Sequence, residues 1–142
     1  MSQINFEQLT IPNNSQYLRD VREFVTRMVR RSGLTPPDQN KVVLAVDEAV
    51  SNIMRHAYVD REDGTISLET IADARKFQIT ICDTGKSFEP ETVPEPDLGR
   101  CVETGKREGL GIYLMRRIMD EVRYEFIRGV RNELRMTKYV RT

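Results

Sequence analysis

Three short segments combine acidic, amide and glycine residues at spacings that suit a binding or catalytic site. In the first, Glu48, Asn52 and His56 follow one another at intervals of four, so on a helix they line one side. That line borders an apolar stripe, so these polar groups are partly buried and need partners. A carboxylate and an amide one turn apart can hold a general base next to a metal ligand. From periodicity alone a solvated helix edge stays open as the alternative.

The second segment places Asp83 and Gly85 at the end of an apolar strand. Asp83 has the same parity as Phe77, Ile79 and Ile81, so its side chain points to the face that carries the core residues. A carboxylate aimed inward must be paired or must bind something polar. Gly85 lets the chain turn sharply or approach a ligand closely. A capped turn after a strand is the alternative interpretation.

The third segment, residues 105–112, closes a long loop and opens a helix. Free backbone amides and the helix dipole make such a start suitable for phosphate. It is not a Walker A loop, because five residues instead of four separate Gly99 from Gly105. It is not a dinucleotide fingerprint either, because Leu114 stands where the third glycine belongs. A flexible hinge is the alternative.

The periodicity of the chain predicts the elements that would bring these segments together. Ile4 and Phe6 alternate in a first strand, residues 14–32 carry one apolar helical stripe, and Thr35 caps a second helix. The remaining elements are a hairpin of strands at 64–71 and 76–83, a helix at about 111–120, and strands at 122–128 and 133–140. This order predicts an α+β fold, a two-layer α/β sandwich in which helices cover one face of a mixed, mostly antiparallel sheet.

Size and composition predict one domain spanning residues 1–142, since 142 residues is a typical domain length. Lys and Arg total 22 and Asp and Glu total 22, so nothing in the net charge favours nucleic acid or an anionic membrane. No stretch approaches the ~18 apolar residues of a membrane span, and the N-terminus lacks the apolar core of a signal peptide. Two cysteines, Cys82 and Cys101, and one histidine give no credible zinc set. We therefore expect a cytoplasmic protein without direct nucleic-acid or membrane partners.

In their order along the chain, the three segments resemble the N, G1 and G2 boxes of the GHKL ATPases, the histidine-kinase-like superfamily that includes gyrase and the histidine kinases. The chain is most similar to the anti-sigma-factor serine kinases in the residues of the three boxes, in its short insert, and in its closing segment 133–139. The resemblance covers about residues 4–140 and implies the Bergerat ATP-binding fold. It also implies transfer of phosphate from ATP, with Mg²⁺, to a serine of a STAS-domain anti-anti-sigma protein. A sigma factor and a second copy of the chain are the further partners that such a family suggests.

The resemblance implies a role for each matching residue. Glu48 would be the general base that takes the serine proton, and Asn52 would bind the magnesium ion. Asp83 would accept a hydrogen bond from the adenine amino group, and Gly85 would let the base pack closely. Residues 89–108 would form an ATP lid. Contacts with the nucleotide are implied for five residues of the third segment, namely Gly105, Lys106, Gly109, Leu110 and Gly111.

Two departures from the family pattern concern the adenine side of the implied site. Ser87 stands where many GHKL proteins have a second glycine. Arg131 and Asn132 stand where a Gly-Thr pair often helps to bind adenine. The Asn132 side chain can still donate and accept hydrogen bonds.

Two other functions stay open as alternatives to a serine kinase. The first is a non-catalytic ATP-binding switch, which Glu48 disfavours because a pure binder needs no base. The second is a detached histidine-kinase catalytic domain. It is disfavoured because no dimerisation helix with a phosphoacceptor histidine is found in the chain.

Overall fold

In the part of the chain that the structure describes, five strands form one sheet, and three α-helices cover one of its faces. The computed structural model describes residues 4–56, 64–83, 110–127 and 131–141. The strands are β1 (Asn5–Pro12), β2 (Thr65–Ala72), β3 (Lys76–Asp83), β4 (Glu121–Ile127) and β5 (Arg131–Tyr139). The helices are α1 (Leu18–Val29), α2 (Pro36–His56) and α3 (Leu110–Ile118), and a single 3-10 turn, Ser15–Tyr17, precedes α1. Within the described ranges, no helix is long and apolar enough to cross a membrane.

The strand order is β1-β2-β3-β5-β4, and all four pairings are antiparallel. The α+β prediction is confirmed, and the hairpin expected over residues 64–83 is formed by β2 and β3. The sheet was predicted to be mixed and mostly antiparallel, and the pairings among the described strands include no parallel pair. Because β5 lies between β3 and β4, the end of β3 meets the beginning of β5, and Asp83 stands opposite Asn132.

The core lies between the helices and the inner face of the sheet. Alternate residues of β2 and β3 are buried, as the period of two predicts. The sheet contributes Ile66, Leu68, Phe77, Ile79, Ile81, Leu134 and Met136, and the helices contribute Val21, Phe24, Val25, Met28, Val42, Ala45, Val46, Ala49, Ile53 and Met115. Burial of each of the Val, Leu, Ile, Phe and Met side chains among them stabilises the fold by roughly 1.5–3 kcal/mol. Helix α2 packs against both α1 and α3 and is the central element of its layer.

The two apolar residues at the N-terminal end, Ile4 and Phe6, do not face the helices, and Ile4 lies just before β1, which begins at Asn5. Ile4 and Phe6 are 67% and 58% exposed. The register pairs Leu9 with Leu68 and Ile11 with Ile66, so the odd-numbered residues of β1 share the inner face. Since the side-chain period of a strand is two, Phe6 must then lie on the outer face.

The loop between α1 and α2 touches the turn between β2 and β3. The Gly33 backbone nitrogen donates a hydrogen bond to the Asp73 carbonyl oxygen at 3.0 Å. A Cβ atom at this position would lie 2.4 Å from the carbonyl oxygen of Ala74. Helix α1 ends at Val29, before Gly33, and a glycine is needed at position 33 because two backbones approach closely there.

Candidate active site

Helix α2 positions the two polar side chains singled out in the first segment. It begins where predicted, with Pro36 as its first residue and with Thr35 Oγ1 accepting a hydrogen bond from the Asp38 backbone nitrogen at 3.4 Å. Glu48 and Asn52 are each only 7% exposed. They therefore lie on the buried side of the helix, one turn apart, and the alternative of a solvated helix edge is excluded.

The end of β3 carries a second buried carboxylate. Asp83 is the last residue of the strand and is 3% exposed, as its parity with the core residues predicts. Asn132 stands directly opposite on β5, and its Nδ2 donates a hydrogen bond to Asp83 Oδ1 at 3.1 Å. Asn132 is itself 7% exposed. A hydrogen bond to a carboxylate in such surroundings is stronger than one between neutral groups, because it is charge-assisted and poorly screened.

The buried acids and amides of the molecule belong to one small set. Among the residues that the structure describes, the buried carboxylates are Glu48 and Asp83, and the buried carboxamides are Asn52 and Asn132. Two come from the helical layer and two from the sheet. Burying such groups is costly unless they are paired or bind a ligand. Their presence within an apolar interior is typical of a functional site more than of a structural core.

Asp47 precedes Glu48 but has a different environment. Arg22 of α1 donates to both of its carboxylate oxygens, from Nε at 2.6 Å and from Nη2 at 3.3 Å. The hydrogen bond with Asp47, and then its negative charge, raise the pKa of Arg22 above its ordinary value. Asp47 thus joins α1 to α2 in a bidentate ion pair, which leaves Glu48 as the acidic residue on the buried side of the helix.

The third segment is described only from its helix onward. Helix α3 begins at Leu110 and includes Gly111 in its first turn. The far end of the helix is held by β5, because Lys138 Nζ donates a hydrogen bond to the Ile118 carbonyl oxygen at 2.9 Å. The lid predicted at 89–108 lies outside the described residues. The same holds for four predicted site residues, namely Gly85, Gly105, Lys106 and Gly109.

Sequence reasoning missed two side chains that support this region. Arg22 is separated from its partner Asp47 by 25 positions, and Lys138 lies 20 positions from Ile118. Neither local periodicity nor motif spacing reports contacts of that separation. The parity that Lys138 shares with the buried Leu134 and Met136 was the available signal, since a buried ammonium needs an acceptor.

The fold and these motifs match known proteins over most of the chain. A family model for the histidine kinase-like ATPase domain matches residues 11–138. The serine-protein kinase RsbW of Bacillus velezensis is 31% identical over 142 residues, which cover 96% of this chain and 87% of that protein.

Two solved structures share the fold. One contains the RsbU and RsbW domains of a Mycobacterium tuberculosis protein, with a TM-score of 0.63, 14% identity, and coverage of 97% of this chain but 33% of that chain. The other is the catalytic domain of the histidine kinase ThkA, with a TM-score of 0.53, 13% identity and coverage of 95% of both chains. At these identities the two structures establish the fold alone.

The chain therefore belongs to the histidine kinase-like ATPase family. Within that family it is a serine/threonine-protein kinase of the type represented by the RsbW relatives, and ATP is the phosphoryl donor that the family uses. The resemblance to the anti-sigma-factor serine kinases, inferred from the three motifs, is confirmed by these relatives.

Proposed function

We propose that this protein is an anti-sigma factor of a partner-switching pathway that phosphorylates a serine of a STAS-domain anti-anti-sigma protein, using ATP and Mg²⁺. The observation that carries the proposal is the pair of buried polar residues, Glu48 and Asn52, one turn apart on the inner side of α2. The sheet opposite contributes a third buried polar group, Asp83. A site of this composition suits a nucleotide whose base enters between the layers.

Glu48 is the proposed general base. It would accept the proton of the substrate serine while the serine oxygen forms its bond to the γ-phosphorus and the bond from that phosphorus to the β-γ bridging oxygen breaks, releasing ADP. Its burial keeps competing water away from the proton transfer. Because Asp47 is bound by Arg22, it is not suited to the same task.

Asn52 is the proposed magnesium ligand, and a carboxamide oxygen suits this cation. Bound Mg²⁺ would neutralise charge on the phosphates. The beginning of α3, at Leu110 and Gly111, would present backbone amides to the same phosphates, where the helix dipole favours negative charge. The lid at 89–108 and contacts from Gly85, Gly105, Lys106 and Gly109 complete the proposed site within a single domain of residues 1–142.

Asp83 is the proposed acceptor for the adenine amino group. Calorimetry of the purified chain with ATP should show binding that weakens when magnesium is removed. The variant Asp83→Asn should bind ATP more weakly. The amide oxygen of the new asparagine can still accept a hydrogen bond from Asn132. Its NH₂ group would then stand in place of the carboxylate oxygen that accepts from adenine, so two donors would face each other. Equal affinity of wild type and Asp83→Asn would contradict the proposed position of the base.

The substrate is tested by incubating the chain with labelled ATP and a purified STAS-domain protein encoded by a neighbouring gene. We expect label on a serine of that protein, and labelling slower by roughly 10²–10⁴-fold when Glu48→Gln replaces wild type. ATP binding without transfer to any serine would favour the non-catalytic switch instead. Co-purification with sigma factors would test the first of the further partners. The mass of the native chain in solution would test whether it binds a second copy of itself. Cell fractionation would test the cytoplasmic location.

A further inference from the structure

Lys138 places a charged group on the inner side of the sheet. It lies on β5, where it shares the parity of the buried residues Leu134 and Met136, and it is 9% exposed. Burying an ammonium group is costly unless acceptors surround it, and an apolar side chain of similar volume is often at least as stabilising. No step of the proposed phosphoryl transfer uses Lys138. Its position is therefore explained by what the ammonium group binds.

The ammonium group of Lys138 binds the C-terminal end of α3. Lys138 Nζ donates a hydrogen bond to the carbonyl oxygen of Ile118, the last residue of the helix, at 2.9 Å. A helix leaves its last carbonyl oxygens without partners inside the helix, and this end carries partial negative charge, so both features favour a cation. Asp120, which follows the helix, adds an ion pair, because its Oδ1 lies 4.0 Å from Nζ.

Two further hydrogen bonds join the junction between α3 and β4 to β5. The Asp120 backbone nitrogen donates to the Thr137 carbonyl oxygen at 2.9 Å, and the Tyr139 backbone nitrogen donates to Asp120 Oδ2 at 2.7 Å. Lys138 stands between these two positions on β5. The two flanking bonds hold the residue after the helix, whereas the Lys138 side chain holds the helix itself.

The apolar contacts of α3 define its position along the helix axis less closely. The helix packs mainly against α2, and Met115 and Met119 are buried at this end of it. Methionine is unbranched and adapts to irregular gaps, so it specifies a position poorly. A hydrogen bond has a narrow range of lengths, and a shift of about 1 Å breaks it. The contact between Lys138 and Ile118 is therefore suited to fix where α3 lies relative to the sheet.

We propose that Lys138 is a positioning residue for the phosphates of ATP, because it holds one end of α3 against β5 and thereby sets the place of the backbone amides at the other end. The inference rests on the proposed ATP site, in which the amides of Leu110 and Gly111 bind phosphate. The helix has nine residues and is therefore about 13 Å long. Its internal hydrogen bonds make it stiff, so a shift at the C-terminal end also moves the N-terminal amides.

The test compares ATP with adenosine, which lacks the phosphates. Affinities of the full chain for both ligands, with Mg²⁺, are measured by competition against a fluorescent ATP analogue, well below the melting temperature of every variant. Lys138→Met keeps the length of the side chain and loses the ammonium group. Because a misplacement of about 1 Å can cost up to roughly 10²-fold, we expect ATP affinity to fall by roughly five- to twentyfold. Adenosine affinity should stay within about twofold of wild type, since adenosine does not reach α3.

The conservative variant Lys138→Arg should restore the wild-type behaviour. Its guanidinium group keeps the charge and can still donate to the Ile118 carbonyl oxygen. The ratio of ATP affinity to adenosine affinity should therefore stay within about threefold of wild type. If Lys138→Met does not fold, Lys138→Gln, which is neutral and one atom shorter, replaces it with the same expectation.

Arg141→Met is the control for the charge near Asp120. Arg141 Nη2 donates to Asp120 Oδ1 at 2.7 Å, so this variant makes the same chemical change beside the same carboxylate. It leaves the hydrogen bond from Lys138 to Ile118 in place. The ratio of ATP affinity to adenosine affinity should therefore equal that of wild type.

Thr137→Val is the control for general loosening of the sheet. Thr137 is buried on β5 beside Lys138, and its Oγ1 donates to Gln78 Oε1 at 3.3 Å. The variant removes this hydrogen bond between neighbouring strands without touching α3. It should lower the melting temperature and leave the ratio of the two affinities unchanged.

The outcomes distinguish this inference from the proposed function. Wild type that binds ATP, with Lys138→Met or Lys138→Gln showing the wild-type ratio of affinities, overturns the inference and leaves the kinase proposal standing. An equal fall of the ratio in either control also overturns it, because the effect would then come from the charge at Asp120 or from the sheet as a whole. Wild type without affinity for ATP overturns both.

Discussion

We expect the change Glu48→Gln to separate phosphoryl transfer from nucleotide binding. The glutamine keeps the size and planar end of the side chain and loses the proton acceptor. General-base catalysis contributes roughly 10²–10⁴-fold, which corresponds to an activation barrier higher by about 3–5 kcal/mol. Because Glu48 is only 7% exposed, water has little access to take the proton in its place. We therefore expect the loss of kcat to lie in the upper half of that range.

Nucleotide affinity should change much less in the same variant. No contact between Glu48 and the adenine ring is proposed. We expect the ATP dissociation constant to change by less than about tenfold, which corresponds to roughly 1.4 kcal/mol of binding free energy. The assay is single-turnover transfer of labelled phosphate to the STAS-domain protein, with ATP affinity measured in parallel by calorimetry. The two measurements together report binding and chemistry independently.

Asp47→Asn is the matched control, because it makes the same chemical change at the neighbouring position. This variant weakens the ion pair with Arg22, whose side chain is 55% exposed. Exposed pairs stabilise by up to roughly 1 kcal/mol, so the melting temperature should fall by no more than about 4 °C. Its turnover should stay within about threefold of wild type. Wild-type turnover in Glu48→Gln, with a hundredfold loss in Asp47→Asn, would refute the assignment of the base and transfer it to Asp47.

Two further predictions concern stability. Gly33→Ala should destabilise the fold by roughly 1–3 kcal/mol, because its Cβ would lie 2.4 Å from the backbone oxygen of Ala74; an unchanged midpoint in urea unfolding would show that the loop moves freely. Tyr139 Oη donates to Glu121 Oε2 at 2.9 Å, and this hydrogen bond is the main reason that the pKa of Tyr139 is raised above its ordinary value. The protonated phenol is favoured in the folded state, so its contribution is present below about pH 10 and is lost as pH rises through the raised pKa. The difference in melting temperature between wild type and Tyr139→Phe should therefore shrink between pH 8 and pH 11, and a constant difference would contradict the role of the hydrogen bond.

The parity of the strands and the stripe of each helix were readable from the sequence because backbone geometry is local. Ile66, Leu68 and Phe77 are buried as the period of two predicts. The same rule predicted that Asp83 faces the core, and its burial confirms this. The cap at Thr35 was also predictable, because capping depends on residues within one turn.

The face of β1 shows where local pattern stops being sufficient. Ile4 and Phe6 alternate correctly, but alternation is compatible with either face. Pairing with β2 determines which face of β1 packs against the core, since Leu9 and Ile11 stand opposite the core residues Leu68 and Ile66. A one-residue change of register would have exchanged the two faces.

The site likewise combines residues that local spacing identifies and contacts that depend on the whole fold. Candidate residues on single elements, such as Glu48 and Asn52 on α2, could be identified from the sequence, because a spacing of four places them on one side of any helix. The contacts of Arg22 with Asp47 and of Asn132 with Asp83 join residues 25 and 49 positions apart, and they depend on how the chain folds. The insertion of β5 beside β3 creates the second of these contacts. Strand order depends on which faces pack together across the whole chain, and no periodicity within one segment encodes it.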